Sequence, residues 1–269
     1  HRPIGKVGLA RLVRAKRPQR LRDIMDDESV AVPVVADREE VAFLFRQHDL
    51  VSAPVADGAG RLVGVITIDD VVDVIDEEAA DDMLRLAGVP DADLYRAVKD
   101  TVRARIPWLA VNMATAIVAS SVIGLFEATL ERIVALAVLM PIVAGLGGNA
   151  GTQTLAVAVR GLATKELDSA NALRIVGKEV LVGFINGLML ACIIGPVAWA
   201  WFGMPLVGAV IAAAVVANLL VAGLMGSLIP LTLEKLRVDP AVASSIFLTM
   251  CTDSLGFFAF LGLATLLLL

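Results

Sequence analysis

The sequence predicts an α-helical polytopic membrane protein with five transmembrane helices, preceded by a small α/β domain. Three observations predict it. The mean hydropathy is +0.79 and 58% of the 269 residues are hydrophobic, above the roughly 45–50% usual in soluble domains. The charge is uneven: residues 1–107 hold 16 Lys/Arg and 20 Asp/Glu, whereas residues 108–269 hold 7 and 8. Five apolar stretches in the second part each reach the roughly 20 residues needed to cross a bilayer. The expected organisation is a charged soluble region at 1–75, an acidic connecting helix at 76–105 and a membrane domain at 106–269.

In the first part, Glu39 to His48 carries Val41, Phe43, Leu44 and Phe45 at helical spacing. SAPVAD and RLVGVIT read as strands, and Asp57-Gly58-Ala59-Gly60 between them is a turn signal. A helix starts near Asp69, with Thr67 or Asp69 as N-cap. The order is β-α-β-β-α, and residues 5–25 read as the end of a preceding copy. The acidic balance of this part argues against nucleic acid and suits a cation.

The run DEEAADDMLRLAGV follows. Asp76, Glu77, Glu78, Asp81 and Asp82 fall within two helical turns, and residues three and four apart share a face. A charge run is ordinarily a solvated face. This one stands just before a membrane entry with Arg85 as its nearby counter-charge, and a hard divalent cation with oxygen ligands would relieve its repulsion.

The spans are expected near 106–126, 132–159, 177–201, 206–233 and 240–268. Arg103 and Arg105 precede the first. Arg160, Lys165, Arg174 and Lys178 lie between the second and third, and Lys235 and Arg237 between the fourth and fifth. Only Arg132 lies on the opposite side. The positive-inside rule therefore puts the N-terminal part in the cytoplasm and the C-terminus outside, with Trp199 and Trp201 in the outer aromatic belt.

The second span is expected to be interrupted by Pro141 and GLGGNAGTQT, an irregular backbone tolerated in a membrane only where protein or water covers it. Asn149 and Gln153 share a helical face there. Helix packing through small residues is the competing reading, and Gly183-x-x-x-Gly187 and Gly223 with Ser227 suggest the same for the third and fourth spans.

In the fifth span, Asp239-Pro240 is a strong helix start. Ser245, Thr249 and Asp253 recur every four residues, with Gly256 near the same face. Asp253 reads as the only acidic residue deep in an apolar segment. Placing such a group at membrane depth costs roughly 2.5–3.5 kcal/mol or more, and it normally faces water or a partner. An ion path is one reading; a carboxyl bonded to a neighbouring helix, or protonated, is the other.

A two-fold axis would set two Asp253 carboxylates around one ion, and C2 is the commonest symmetry. Mg²⁺ suits so sparse a site, because it keeps its waters and takes one or two carboxylates. Transition metals would favour His, Cys or Met. Both histidines, His1 and His48, lie in the first part, and Cys192 and Cys251 show no metal spacing. With no H-E-x-x-H helix a membrane zinc protease is discarded. No enzymatic activity, catalytic residue or organic cofactor site is expected. The start is polar and basic rather than a signal peptide. It lacks Met and opens inside a domain, so a fragment is expected.

The segment GRLVGVITIDDVV and its element order resemble a cystathionine-β-synthase-like (CBS) regulatory domain. With the acidic helix, the five spans, GGNAGTQ in the second and VDPAVAS…LTMCTD in the fifth, nearly the whole chain resembles the MgtE family of magnesium channels and transporters. The resemblance implies a homodimer in a cell membrane with a Mg²⁺-selective pore on its axis, gated by cytoplasmic Mg²⁺. It assigns the pore aspartate to Asp253, the motif asparagine to Asn149 and a regulatory aspartate to Asp239. Asp70, Asp73, Glu78, Asp81 and Asp82 match acidic positions of the CBS and connecting-helix interface, and Asp37, Glu39 and Asp49 further acidic positions. CBS domains pair and many bind adenine nucleotides; the Thr67 and Asp70 spacing matches the ribose-contacting pattern, with a helix cap the alternative. Two departures stand out. Thr152 replaces a frequent Asn, and the family's N-terminal helical domain and most of a first CBS copy are absent. Transport of another divalent cation such as Co²⁺ or Mn²⁺ and a non-transporting sensor subunit are the alternatives. A CBS-linked chloride channel is disfavoured, since it would carry more spans and its CBS pair after them.

Overall fold

The computed structural model describes residues 2–26, 30–89, 95–168 and 170–269, with Ala243 described by its main chain alone. The chain packs as two units, His1–Ala80 and Asp81–Leu269.

The first unit has the expected β-α-β-β-α order. β1 (Val32–Pro33) pairs parallel with β2 (Ser52–Ala56), which pairs antiparallel with β3 (Leu62–Thr67). The β2–β3 turn closes because Asp57 Oδ1 accepts from the backbone N–H groups of Ala59 and Arg61, while Gly60 takes φ +74°. A short helix, α1 (Leu9–Arg14), precedes the sheet. Helix α2 (Arg38–Gln47) starts at Asp37, whose carboxylate accepts from the Glu39 N–H. Its buried Val41 and Phe45 pack with Val32, Ala53 and Val71 into one small core. Val71 belongs to α3 (Ile68–Leu86), within which the division between the units falls.

Helix α3 stops at a Schellman motif. Gly88 is left-handed, φ +70°; its N–H reaches Arg85 O, and the Val89 N–H reaches Leu84 O. Glycine is the residue that adopts such a cap at least cost. The stretch 76–105, expected as one connecting helix, therefore contains the C-terminal half of α3 and the start of α4 (Val98–Gly124).

Among the described residues, five helices are long and apolar enough to cross a membrane: α4, α6 (Val134–Ala163), α7 (Ala172–Phe202), α8 (Pro205–Lys235) and α9 (Pro240–Leu268). The protein is thus a multi-pass α-helical membrane protein with an α/β N-terminal region. Helix α5 (Glu127–Arg132), which the hydropathy pattern did not reveal, sits between the first two spans. The first span begins earlier than expected, because its opening turns carry Lys99, Asp100, Arg103 and Arg105 and extend an apolar helix with charged residues.

The expected interruption of the second span does not occur. Helix α6 runs unbroken through Pro141 and GLGGNAGTQT. Two of its glycines serve packing: a Cβ on Gly147 would strike the Asn218 side chain, and one on Gly151 would lie 2.9 Å from Leu248, whereas Gly145 and Gly148 face open space. Central α8 packs against α6, α7 and α9. The α7–α8 seam is closest where glycines meet backbone: Gly183 faces Leu219 O, Gly187 faces Val216 and Gly223 faces Glu179 O. The small-residue reading of these spans therefore holds.

Candidate functional site

Asp253 lies midway along α9, partly buried. One turn earlier Thr249 is exposed, and Ser245 is partly buried. Gly256 leaves this stripe: it is buried, and the Asn218 amide fills the space beside it. On α6, Asn149, Thr152 and Gln153 form an exposed polar face, opposite the buried Gly147, Gly151 and Thr154. An apolar helix thus keeps several hydrogen-bonding groups on a face left exposed among the described residues. That is the pattern of a surface meeting water or a further protein surface rather than hydrocarbon.

At the N-terminal end of α9, Asp239 is the N-cap, its Oδ1 accepting from the Ala241 N–H at 2.8 Å, with Pro240 following. Its Oδ2 meets Arg85 Nη1 at 2.5 Å, and Arg85 Nη2 lies 3.9 Å from Asp81. One guanidinium of α3 therefore joins two of the sequence-predicted acidic residues. Leu86 supports the contact by packing with Leu155, Val159, Ala241 and Leu248.

The remaining acidic positions do not converge. Glu77 and Glu78 each pair with Arg38, at 3.1 and 3.0 Å. Arg38 is a counter-charge that proximity in sequence did not reveal, so Arg85 is not the run's sole partner. Asp73 and Asp81 are exposed and Asp82 partly buried on α3. Asp37 caps α2 beside Glu39. Asp49 is exposed, has φ 47° and borders a cleft with Ala42, Phe45 and Arg46. Among the described residues no three His, Cys, Asp or Glu side chains come together in a group able to hold a metal ion.

Asp70 and Thr67 form a helix-start box. Asp70 Oδ2 accepts from the Thr67 hydroxyl at 2.7 Å and its N–H at 3.0 Å. These two bonds, the hydroxyl's first, hold the Asp70 carboxyl below the ordinary aspartate range. The cap reading of the pair is therefore realised. Beside it lies a largely apolar cleft of about 210 Å³, edged by Val32, Val34, Ala36, Arg38, Val55 and Asp70.

Two polar residues escaped the sequence reading. Glu179 on α7 is only 8% exposed; its Oε2 lies 3.4 Å from the Thr154 hydroxyl, which donates, and its Oε1 3.7 Å from Lys178 Nζ. Asp253 is thus not the only acidic residue enclosed among the spans. Asn218 on α8 is 1% exposed, and its Nδ2 donates to Val143 O at 2.8 Å. Both sit where a polar side chain interrupts an apolar run, a signal available in the sequence.

A family profile described as divalent cation transporter, MgtE, matches residues 140–263, and a CBS domain profile matches 21–77. Three curated relatives are each called magnesium transporter MgtE. The one from Bacillus subtilis is 33% identical over 97% of this chain and 58% of its own length. The Thermus thermophilus relative is 37% identical over 98% and 59%, and that of Enterococcus faecalis 36% identical over 98% and 58%. The chain therefore spans less than two thirds of each relative's length. A crystal structure described as the soluble part of a magnesium transporter shares 35% identity over 29% of this chain and 30% of that one. Its TM-score is 0.28, too low to equate the two shapes.

Proposed function

Because the chain belongs to the MgtE family, in which the relatives it matches are magnesium transporters, we propose that its five spans carry Mg²⁺ across a cell membrane. The observation that carries this reading is the pair of polar features on the spans: Asp253 partly buried in α9 and Asn149 on the uncovered face of α6. A lone carboxylate and a lone amide make no cage for a dehydrated ion. Two copies related by a two-fold axis would set paired carboxylates around a Mg²⁺ that keeps most of its water, as this ion prefers. The homodimer is thus part of the proposal, as is the orientation with the N-terminal unit in the cytoplasm, which rests on the basic loops.

Regulation is assigned to the acidic residues of α2, α3 and the α9 start: Asp37, Glu39, Asp49, Asp70, Asp73, Glu78, Asp81, Asp82 and Asp239. Cytoplasmic Mg²⁺ bound among carboxylates would favour a compact closed state through its higher affinity for that state. Arg38 and Arg85 already neutralise part of this charge, so the ion competes with tethered guanidinium groups. The cleft beside Asp70 is proposed to take an adenine nucleotide, with the ionised Asp70 accepting from ribose hydroxyls.

The test is Mg²⁺ flux into proteoliposomes of this chain and of Asp253→Ala at matched insertion. Flux in the first and little in the second is expected. Equal flux would move the ion path away from Asp253. Preferential flux of Co²⁺ or Mn²⁺ would change the cargo, and no flux in either would leave a sensor subunit.

A further inference from the structure

Asn218 occupies a singular place in the spans. Its carboxamide lies between two helices rather than along one: a Cβ on Gly147 of α6 would come within 3.0 Å of Oδ1 and closer still to Nδ2. A Cβ on Gly256 of α9 would stand 2.6 Å from Nδ2 and 2.9 Å from Oδ1. Gly147 is two residues from Asn149, and Gly256 three from Asp253. One buried amide on α8 thus touches both helices within a turn of each residue assigned to the ion path.

The amide is held in one orientation. Nδ2 donates to Val143 O; turning the group over would set oxygen against oxygen. Among the described residues, Oδ1 is then left buried without a hydrogen-bond partner. A buried acceptor left unpaired is costly, and an apolar side chain of similar shape would avoid that cost. The amide is therefore not explained by packing alone. Its gain is directional: the bond to Val143 O fixes the rotation of α6, and the contact at Gly256 fixes the approach of α9.

We propose that Asn218 is a positioning residue that sets the register of α6 against α9, and through it the placement of Asn149 relative to Asp253. The proposal rests on the ion-path reading for its functional consequence, but the geometry it asserts can be measured apart from transport.

The experiment uses the full chain in liposomes, with Cys192 and Cys251 changed to Ser and nitroxides attached through Val157→Cys on α6 and Phe247→Cys on α9. Both positions are exposed, and labelled chain is diluted into unlabelled chain. Asn218→Leu keeps the bulk and removes the bond. Gly256→Ala presses on the same amide from α9. Each variant is expected to shift or broaden the distance distribution relative to the parent, at unchanged helix content, and to lower Mg²⁺ flux. A distribution unchanged in both variants overturns the proposal whatever the flux does. A shifted distribution together with parental flux overturns the functional half. If the parent itself carries no Mg²⁺, the transport reading fails and the distance measurement alone decides the geometry.

Discussion

Gly223→Ala tests the packing that holds the spans together. A Cβ on Gly223 would lie 2.5 Å from Glu179 O, 3.1 Å from Glu179 C and 3.3 Å from Val180 Cα, where ordinary contact begins at 3.4 Å. The shortfall at the oxygen is about 0.9 Å, and the obstructing atoms are backbone, so no side-chain rotation relieves it. Helices α7 and α8 must separate or slide. A gap of 0.5–1 Å forfeits about a quarter to a half of each dispersion contact it opens. Overpacking of this kind typically costs about 1–3 kcal/mol. Against it stands the gain of roughly 0.5–1 kcal/mol from replacing glycine within a helix. Gly177→Ala isolates that gain, since a Cβ there meets nothing within 4 Å. Unfolding in mixed micelles, followed by the fluorescence of Trp199 and Trp201 near the end of α7, should show Gly223→Ala destabilised and Gly177→Ala equal to the parent or more stable. Equal stability of the two variants would refute the close-seam argument.

Two further outcomes follow from the helix starts at Asp239 and Asp70. Asp239→Ser keeps an oxygen for the Ala241 N–H, whereas Asp239→Ala removes it. Both variants lose the Arg85 pair, so the cap shows in their difference: the alanine variant should be about 1 kcal/mol less stable than the serine variant. If Asp239 also binds regulatory Mg²⁺, both lose inhibition by internal Mg²⁺ in a flux assay; loss in the alanine variant alone would reduce Asp239 to a cap. At Asp70, the bonds from Thr67 depress the folded-state carboxyl. Their stabilisation is complete at neutral pH, present above the unfolded-state value, and lost as pH falls through the lower folded value. Amide exchange in the first turn of α3 should accelerate on acidification through that window in the parent, and show no such step in Asp70→Asn.

Periodicity and composition were enough for the number of spans, the β-α-β-β-α order and the start of α9, because each rests on local chemistry. An apolar run of 20 residues has few alternatives to a membrane helix. Asp239-Pro240 is a strong local helix start, and the Asp57-Gly58-Ala59-Gly60 turn between two β-rich runs marks a hairpin. The continuity of α6 was not legible. Pro141 and four glycines argue for a break when read alone, and only the neighbours Asn218 and Leu248, which fill the space beside Gly147 and Gly151, show why glycine is needed there. The Arg38 pairs with Glu77 and Glu78 join residues 39 and 40 positions apart, and the Arg85 pair with Asp239 spans 154. No spacing rule reaches across such intervals. What the sequence by itself determined is the set of five spans, the β-α-β-β-α order and the helix start at Asp239. Only the tertiary structure decided which carboxylates already have a guanidinium partner, and which buried amide stands between α6 and α9, since both depend on surfaces brought together by packing.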